Sequence, residues 1–298
     1  MAFQFHPGEA VPRGIRRVVV EQLEFAAAQL HKPERSARVG AVHEARKSIK
    51  KVRAILRLMA DELDLVALTG NTLLRDLGRK LSAERDAAVL VDTLDSLKDE
   101  DDKSPELARL RSRLVRERSR AARAESPTAV AFALERAAER VRTWPLHATG
   151  FAALAPGLQE SFHRGRKALA NARKDSTSEN FHEWRKRVKD HWYHMRLLEG
   201  IWTDATRSYE KGLKDLENCL GDDHNIAVLV ERVASLDNVA EFTDLLASAH
   251  HRQKHLRHHS LNVGGRLYAQ KPREFIRHME RLWNASQPGG RKPGAQAA

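Results

Sequence analysis

The sequence predicts an all-α fold: two similar helical bundles, four main helices each plus a short one, related by pseudo-two-fold symmetry. Three observations predict it. Apolar residues recur at helical spacing, and no alternating run is long enough to argue for a strand. Ala, Leu, Arg, Lys and Glu dominate, while only 16 Gly and 10 Pro punctuate 298 residues. Residues 43–97 also lie over 182–236 at a constant offset of 139 without a gap, with 17 identities in 55 positions.

The elements follow from period and punctuation. In the first half helices are expected near 12–31, 36–62, 70–98 and 104–124, with a shorter one near 127–143. Ser104-Pro105-Glu106 and Ser126-Pro127 are helix starts, because Ser can cap and Pro suits the first turn. The acidic string 99–102 reads as a solvated turn. The stretch from Trp144-Pro145 to Pro156-Gly157 marks a junction. The second half reads as helices near 157–174, 178–201, 206–236, 240–259 and 272–284, the last opened by Lys271-Pro272. The chain thus divides into a first half, 1–148, a second half, 149–285, and a Pro/Gly/Ala-rich tail, 286–298. A length of 298 residues exceeds one typical helical core and suits two bundles.

A composition of 41% hydrophobic and 31% charged residues supports a packed core. Lys and Arg number 52 against 40 Asp and Glu, a formal charge of +12. That surplus favours nucleic acid, an anionic membrane or a free polyanion, without choosing among them. The single cysteine, Cys219, rules out an intramolecular disulfide framework, and its apolar neighbours from Leu216 to Leu220 make it a buried filler. No early stretch has the form of a signal peptide and no run approaches a membrane span, so a cytoplasmic protein without membrane contact is expected.

The repeated helix is the chemical feature. On a wheel, Val42, Ala45, Ile49, Val52, Leu56 and Met59 form a core face. His43, Arg46, Lys47, Lys50, Arg53 and Arg57 form a separate basic stripe about 21 Å long. The second copy sets Phe181, Trp184, Val188, Met195 and Leu198 on the core face. Its stripe is His182, Arg185, Lys186, Lys189 and Arg196, with Tyr193 inside it at the place of Ala54. Like charges one turn apart repel, and a stripe kept only for solubility would intersperse acids. An anion is therefore expected on both. Arg forks and Lys charges in a row suit a row of phosphates. Base readout would want polar amides or aromatics interleaved, and only Trp192 and Tyr193 stand near.

Further cations are second-rank candidates: Arg13 and Arg17 on the first helix, Arg164 and Lys167 on its counterpart, and Arg113, Arg116 and Arg120 in a row begun by Arg109. His251, His255 and His259 have chelating spacing, but no carboxylate or Cys shares their face and basic residues intervene. No metal is expected there, and His255 is kept as an anion contact. His191 falls in the apolar sector as a packed core histidine. There is no Gly-rich phosphate loop, no metalloprotease string and no nucleophile paired with a base. No catalytic residue and no cofactor are expected. Glu44 and Glu183 read as partners of neighbouring Lys or Arg.

Two strings then resemble a known family. Val42-His43-Glu44-Ala45-Arg46-Lys47 and Phe181-His182-Glu183-Trp184-Arg185-Lys186-Arg187-Val188-Lys189 are similar to the basic helices of the CHAD family, the conserved histidine α-helical domain. The segment from Leu220-Gly221-Asp222-Asp223-His224-Asn225 to Val228 resembles that family's Leu-Gly segment, as does Leu81 to Val89 with Arg85-Asp86. Phe5-His6-Pro7-Gly8-Glu9 resembles its opening, and Gly264-Gly265-Arg266-Leu267 through Trp283 its end. The resemblance covers about 5–284. It implies one domain of two bundles that binds inorganic polyphosphate, without catalysis, in a central basic groove between the halves. It also implies association with polyphosphate granules. Residue by residue, His43, Arg46, Lys47, Lys50, Arg57, His182, Arg185, Lys186, Lys189 and Arg196 would line that groove. Asn225 in place of Asp86, and Asp190 in place of Lys51, point to unequal use of the halves. The alternatives are a metal-dependent enzyme processing polyphosphate or nucleotides through Glu44 or Glu183, and a nucleic-acid-binding protein. The lack of interleaved aromatics disfavours nucleic acid.

Overall fold

Helix α1 (Val11–Leu30) begins with Pro at its first turn and buries Ile15, Val18, Val19 and Leu23 against α2 (Arg38–Leu58) and α7 (Pro127–Val141). The computed structural model describes residues 3–31, 38–97, 104–124, 127–201 and 206–287. Among these it has twelve α-helices and no strand. The chain continues from α2 through α3 (Ala60–Leu63), α4 (Leu65–Lys80), α5 (Ala83–Leu97) and α6 (Pro105–Ala124) to α7. After a 3-10 turn at Phe151–Ala153 come α8 (Ala155–Lys174), α9 (Ser178–Leu198), α10 (Arg207–Ala234), α11 (Thr243–Leu267) and α12 (Pro272–Ser286). None of the described helices is long and apolar enough to cross a membrane.

The punctuation acts as its chemistry requires. Ser104 Oγ accepts from Leu107 N at 3.4 Å, and Thr177 caps α9 by accepting from Asn180 N at 3.3 Å. The expected start at Ser126, the acidic string 99–102 and most of the 286–298 tail lie outside the described residues. Three helices differ from expectation. The first basic helix stops at Leu58, and Asp64, at φ 41°, reverses the chain into α4. The helix expected over 70–98 is broken at Leu81-Ser82 into α4 and α5. The helix expected to end near 259 continues to Leu267, because Ser260 and Gly264 are buried against the core and keep the packing going.

The larger hydrophobic core runs from Phe3 and Phe5 through α1, α2, α8 and α9 to Trp283, and so is shared by helices from both sides of residue 148. Gly157 makes this continuity possible: a Cβ there would lie 1.9 Å from the Leu58 carbonyl oxygen, so only glycine lets α8 cross the end of α2. A second, smaller core joins Val91 and Leu94 of α5, Leu107, Leu110 and Leu114 of α6, Leu229 and Val233 of α10, and Leu245 of α11. Every residue assigned to the core faces of α2 and α9 is buried. His191 is fully buried, hydrogen-bonded to Ser161 and to Tyr209, each at 3.0 Å, and burial pushes its pKa down to about 3. Cys219 is half-buried rather than buried, since it flanks the apolar face of α10 instead of lying on it.

Candidate functional site

Helices α2 and α9, the two copies of the repeated string, pack against each other. His194 Nε2 of α9 donates to the Ala54 carbonyl of α2 at 2.8 Å. That contact splits each stripe in two. Tyr193, expected within the basic stripe, is 3% exposed because it and Ala54 lie where the partner helix covers them.

N-terminal to the contact the cations converge. Half-buried Lys50 stands with Lys189, Arg46 and Arg185, and burial first, then these like charges, pull its pKa down to about 7. Among the described residues Lys50 has no hydrogen bond or ion pair. Lys189 has one: it donates to Glu217 Oε1 at 2.6 Å. Lys214 donates to the other oxygen of Glu217 at 3.0 Å, and Arg185 lies 3.7 Å away. Glu217 is only 4% exposed. Burial alone would raise its pKa, but Lys189 and Lys214 outweigh it and hold it down at about 2.

The histidines flank this cluster. The His182 ring lies against that of His224, tilted by 33° with centroids 4.0 Å apart. Burial, then His182, Arg185 and Lys186, lower the His224 pKa to about 4. His43 is shifted down by burial and then by Arg85. Arg85 and His224 occupy the same place in the 139-residue register, as do Arg75 and Lys214. Arg46 caps the broken end of α4, donating to the Leu81 carbonyl at 2.8 Å and reaching Asp86 at 3.4 Å. Its counterpart Arg185 lies over Gly221 in an unbroken α10.

Other expected ligands, beside the contact, beyond it and at the outer rim, are otherwise engaged. Arg53 and Arg57 both donate to Asn71 Oδ1, at 2.9 and 3.0 Å, and Arg57 also pairs with Asp190 of α9 at 2.5 Å. Arg196 lies over the Trp192 ring at 5.5 Å. Lys47 and Lys186 pair with Glu44 and Glu183 at 2.9 and 3.1 Å, so both glutamates hold neighbouring lysines.

The second-rank cations do not join the cluster. Arg17 fastens the N-terminal segment through Glu9 at 2.7 Å and the Gln4 carbonyl at 3.0 Å. Arg113 and Arg116 line a separate cavity of about 540 Å³ between α6 and the turn at Val239–Phe242, and Arg113 reaches Glu117 at 3.3 Å. Arg164 pairs with Glu160 at 2.5 Å, and Arg13, Lys167 and Arg120 are exposed on outer faces. His255 shares a hydrogen bond with His251 at 3.0 Å, and no described cluster of His, Cys, Asp or Glu could hold a metal ion.

Sequence reasoning missed Glu217, Lys214, Arg85 and His224 as neighbours of the stripes. The register held a signal for three of them, since Arg75/Lys214 and Arg85/His224 are basic in both copies. For Glu217 the signal was a difference, Gly78 against Glu217.

The family model described as "CHAD domain" matches residues 21–234. Among solved structures, the crystal structure of the CHAD domain from the plant Ricinus communis is similar to this chain. It superposes with a TM-score of 0.62 at 17% identity, covering 94% of this chain and 95% of that one. None of the curated proteins compared matches the sequence.

Proposed function

This chain belongs to the CHAD domain family, and from that premise we propose that it binds inorganic polyphosphate between the N-terminal halves of α2 and α9, without chemistry. One observation carries the proposal: two helices far apart in sequence bring Arg46, Lys50, Arg185 and Lys189 together, and among the described residues Lys50 makes no ion pair, with Glu217 acting on it only from a distance. A buried cation without a counter-ion is costly unless one is supplied from outside. A chain of phosphates supplies several at a regular spacing, and Arg forks and Lys point charges both suit its oxygens.

His43, Arg85, His182 and His224 extend the row at its two ends, and Lys47 and Lys186 contribute charge from its rim. Arg57 ties α2 to α9, Arg53 ties α2 to α4, and Arg196 packs on Trp192 of its own helix, rather than touching the ligand. The two halves are read as copies of one unit. The support is the shared register of His43 with Arg85 and His182 with His224. Glu44 and Glu183 serve as scaffold, since each is tied to a neighbouring lysine. A cytoplasmic location with recruitment to polyphosphate granules fits such a binder.

Titration with long-chain polyphosphate tests the reading. Binding should be tight at low salt and weaken linearly with log salt as counterions are released. Joint charge reversal at Arg46, Lys50, Arg185 and Lys189, with the helical signature by circular dichroism retained, should abolish it. Binding that survives in that variant overturns the proposal. Duplex DNA at equal phosphate concentration should compete poorly, and equal competition would favour a nucleic-acid binder.

A further inference from the structure

The two halves of the cation cluster differ in one respect that the repeat makes visible. In the 139-residue register Lys50 answers to Lys189, Arg46 to Arg185, and Gly78 to Glu217. Lys189 is held at 2.6 Å by the buried Glu217 carboxylate, and Arg185 faces the same group. In the first half Gly78 has no side chain to offer: Arg46 donates to the Leu81 carbonyl and reaches Asp86 at 3.4 Å, and Lys50 makes no ion pair among the described residues. Gly78 does not lack a side chain for want of room. A Cβ there would meet only Ile49 Cγ2 at 3.6 Å, an ordinary contact, and the residue lies within α4 with no unusual φ.

On the reading that the cluster binds polyphosphate, we infer that it does so asymmetrically. Lys50 is the specificity-determining phosphate ligand, and the Glu217 carboxylate is a built-in counter-ion that occupies the matching place in the second half. Lys189, Lys214 and Arg185 share one tethered carboxylate, closest to Lys189, which a mobile phosphate must displace or avoid. Lys50 has no such competitor, so a phosphate there gains the full charge-assisted bond. The bound chain is therefore anchored at the first half and passes the second at a distance set by like-charge repulsion from Glu217. A like charge at the edge of a partly solvated site opposes the anion by a factor on the order of five.

Four variants titrated with linear polyphosphate at fixed salt test this. Lys50→Met should weaken binding by about tenfold or more, the loss of one charge-assisted bond. Lys189→Met should stay within about threefold, because its ammonium is already committed to Glu217. Glu217→Gln should tighten binding by about fivefold and, combined with Lys189→Met, raise the cost of losing Lys189 toward that of losing Lys50. Gly78→Glu should weaken binding about as much as Lys50→Met, by giving Lys50 the partner that Lys189 has. Thermal melting of each variant guards the comparison. Should Glu217→Gln unfold the protein, Gly78→Glu still decides, since a Cβ at that position meets only an ordinary contact. Equal costs for Lys50→Met and Lys189→Met, or a neutral Gly78→Glu, overturn the asymmetry while polyphosphate binding stands. A folded wild-type protein that binds no polyphosphate overturns the functional reading and this inference with it.

Discussion

Lys50 is where the chemistry of a single side chain can be followed by titration. Burial, Lys189, Arg46 and Arg185 all lower its pKa, Glu217 opposes them weakly, and it settles near 7 against an ordinary 10.5. Below pH 7 the lysine is protonated in the folded and the unfolded chain alike, and the folded state bears the penalty of a buried charge. Between pH 7 and about 10.5 the unfolded chain binds a proton that the folded chain has released, so this group makes stability rise with pH. Lys51, lowered to about 8 chiefly by burial and then by Arg196, acts in the same direction over a narrower window. Glu217 works at the acid end. Its pKa is held near 2, so its stabilisation is complete above about 4.5 and is lost as pH falls toward 2. Lys50→Met should accordingly raise the melting temperature at pH 7, and that gain should shrink as the pH approaches 10. A second consequence concerns the ligand. At pH 8 to 9 Lys50 is largely neutral, and a phosphate beside it restores the ordinary preference for the charged form. Polyphosphate binding in that range should take up a proton, read as a calorimetric heat that depends on the ionisation enthalpy of the buffer. The uptake should vanish in Lys50→Met. A buffer-independent heat in the wild type would refute the role assigned to Lys50.

At the level of helices, what holds the basic rows in place is the close packing of α2, α8 and α9. Gly157 lets α8 cross the end of α2, and a side chain there would run into the backbone of Leu58. Gly157→Val should destabilise the protein by about 1–3 kcal/mol, the usual cost of overpacking. Gly40→Ala in α2 meets nothing within 4 Å and should be neutral or stabilising by up to about 1 kcal/mol. Urea midpoints of the two variants make the comparison, and a Gly157→Val midpoint equal to wild type would show that α8 moves aside freely. The helix faces were legible in the sequence because burial follows a period of 3.6: Val42, Ala45, Ile49, Val52, Leu56 and Met59 are all buried. Two things were not. The break at Leu81-Ser82 carries no Pro or Gly; it sits where Arg46 of another helix donates to the freed carbonyl, a long-range contact that local pattern cannot encode. The split of the stripe at Ala54 and Tyr193 depends on which helix lies across α2. Periodicity tells which side chains share a face, not what that face meets, and so Arg53 and Arg57 looked equivalent to Arg46 and Lys50.

For the molecule as a whole the question is how a surplus of +12 is distributed. Many of the 52 Lys and Arg are locally paired: Arg17 with Glu9, Arg111 with Asp95, Arg164 with Glu160, Arg257 with Asp223, Arg232 with Glu117. All of them leave little net field, and the exposed ones, Arg111 with Asp95 and Arg164 with Glu160, contribute little to stability. The long-range attraction for an anion therefore rests on the cations left with less compensation, and Lys50 stands among several cations where α2 and α9 meet. Glu217 cancels part of that charge on one side, which is why the first half is expected to dominate. A ligand that bridges several of these cations gains from every contact after the first through effective concentration, whereas single phosphates must bind independently. Polyphosphate should therefore raise the melting temperature by the equivalent of about 2.7 kcal/mol at a hundredfold excess over its dissociation constant. Orthophosphate at the same total phosphate should produce only a small fraction of that shift. Raising the salt from 50 to 200 mM should erase most of the polyphosphate effect while leaving the unliganded melting temperature nearly unchanged, because the free protein's surface pairs are already screened. Equal shifts from orthophosphate and polyphosphate would mean that the cations act one by one, and would break the link between their convergence and the chain they are proposed to hold.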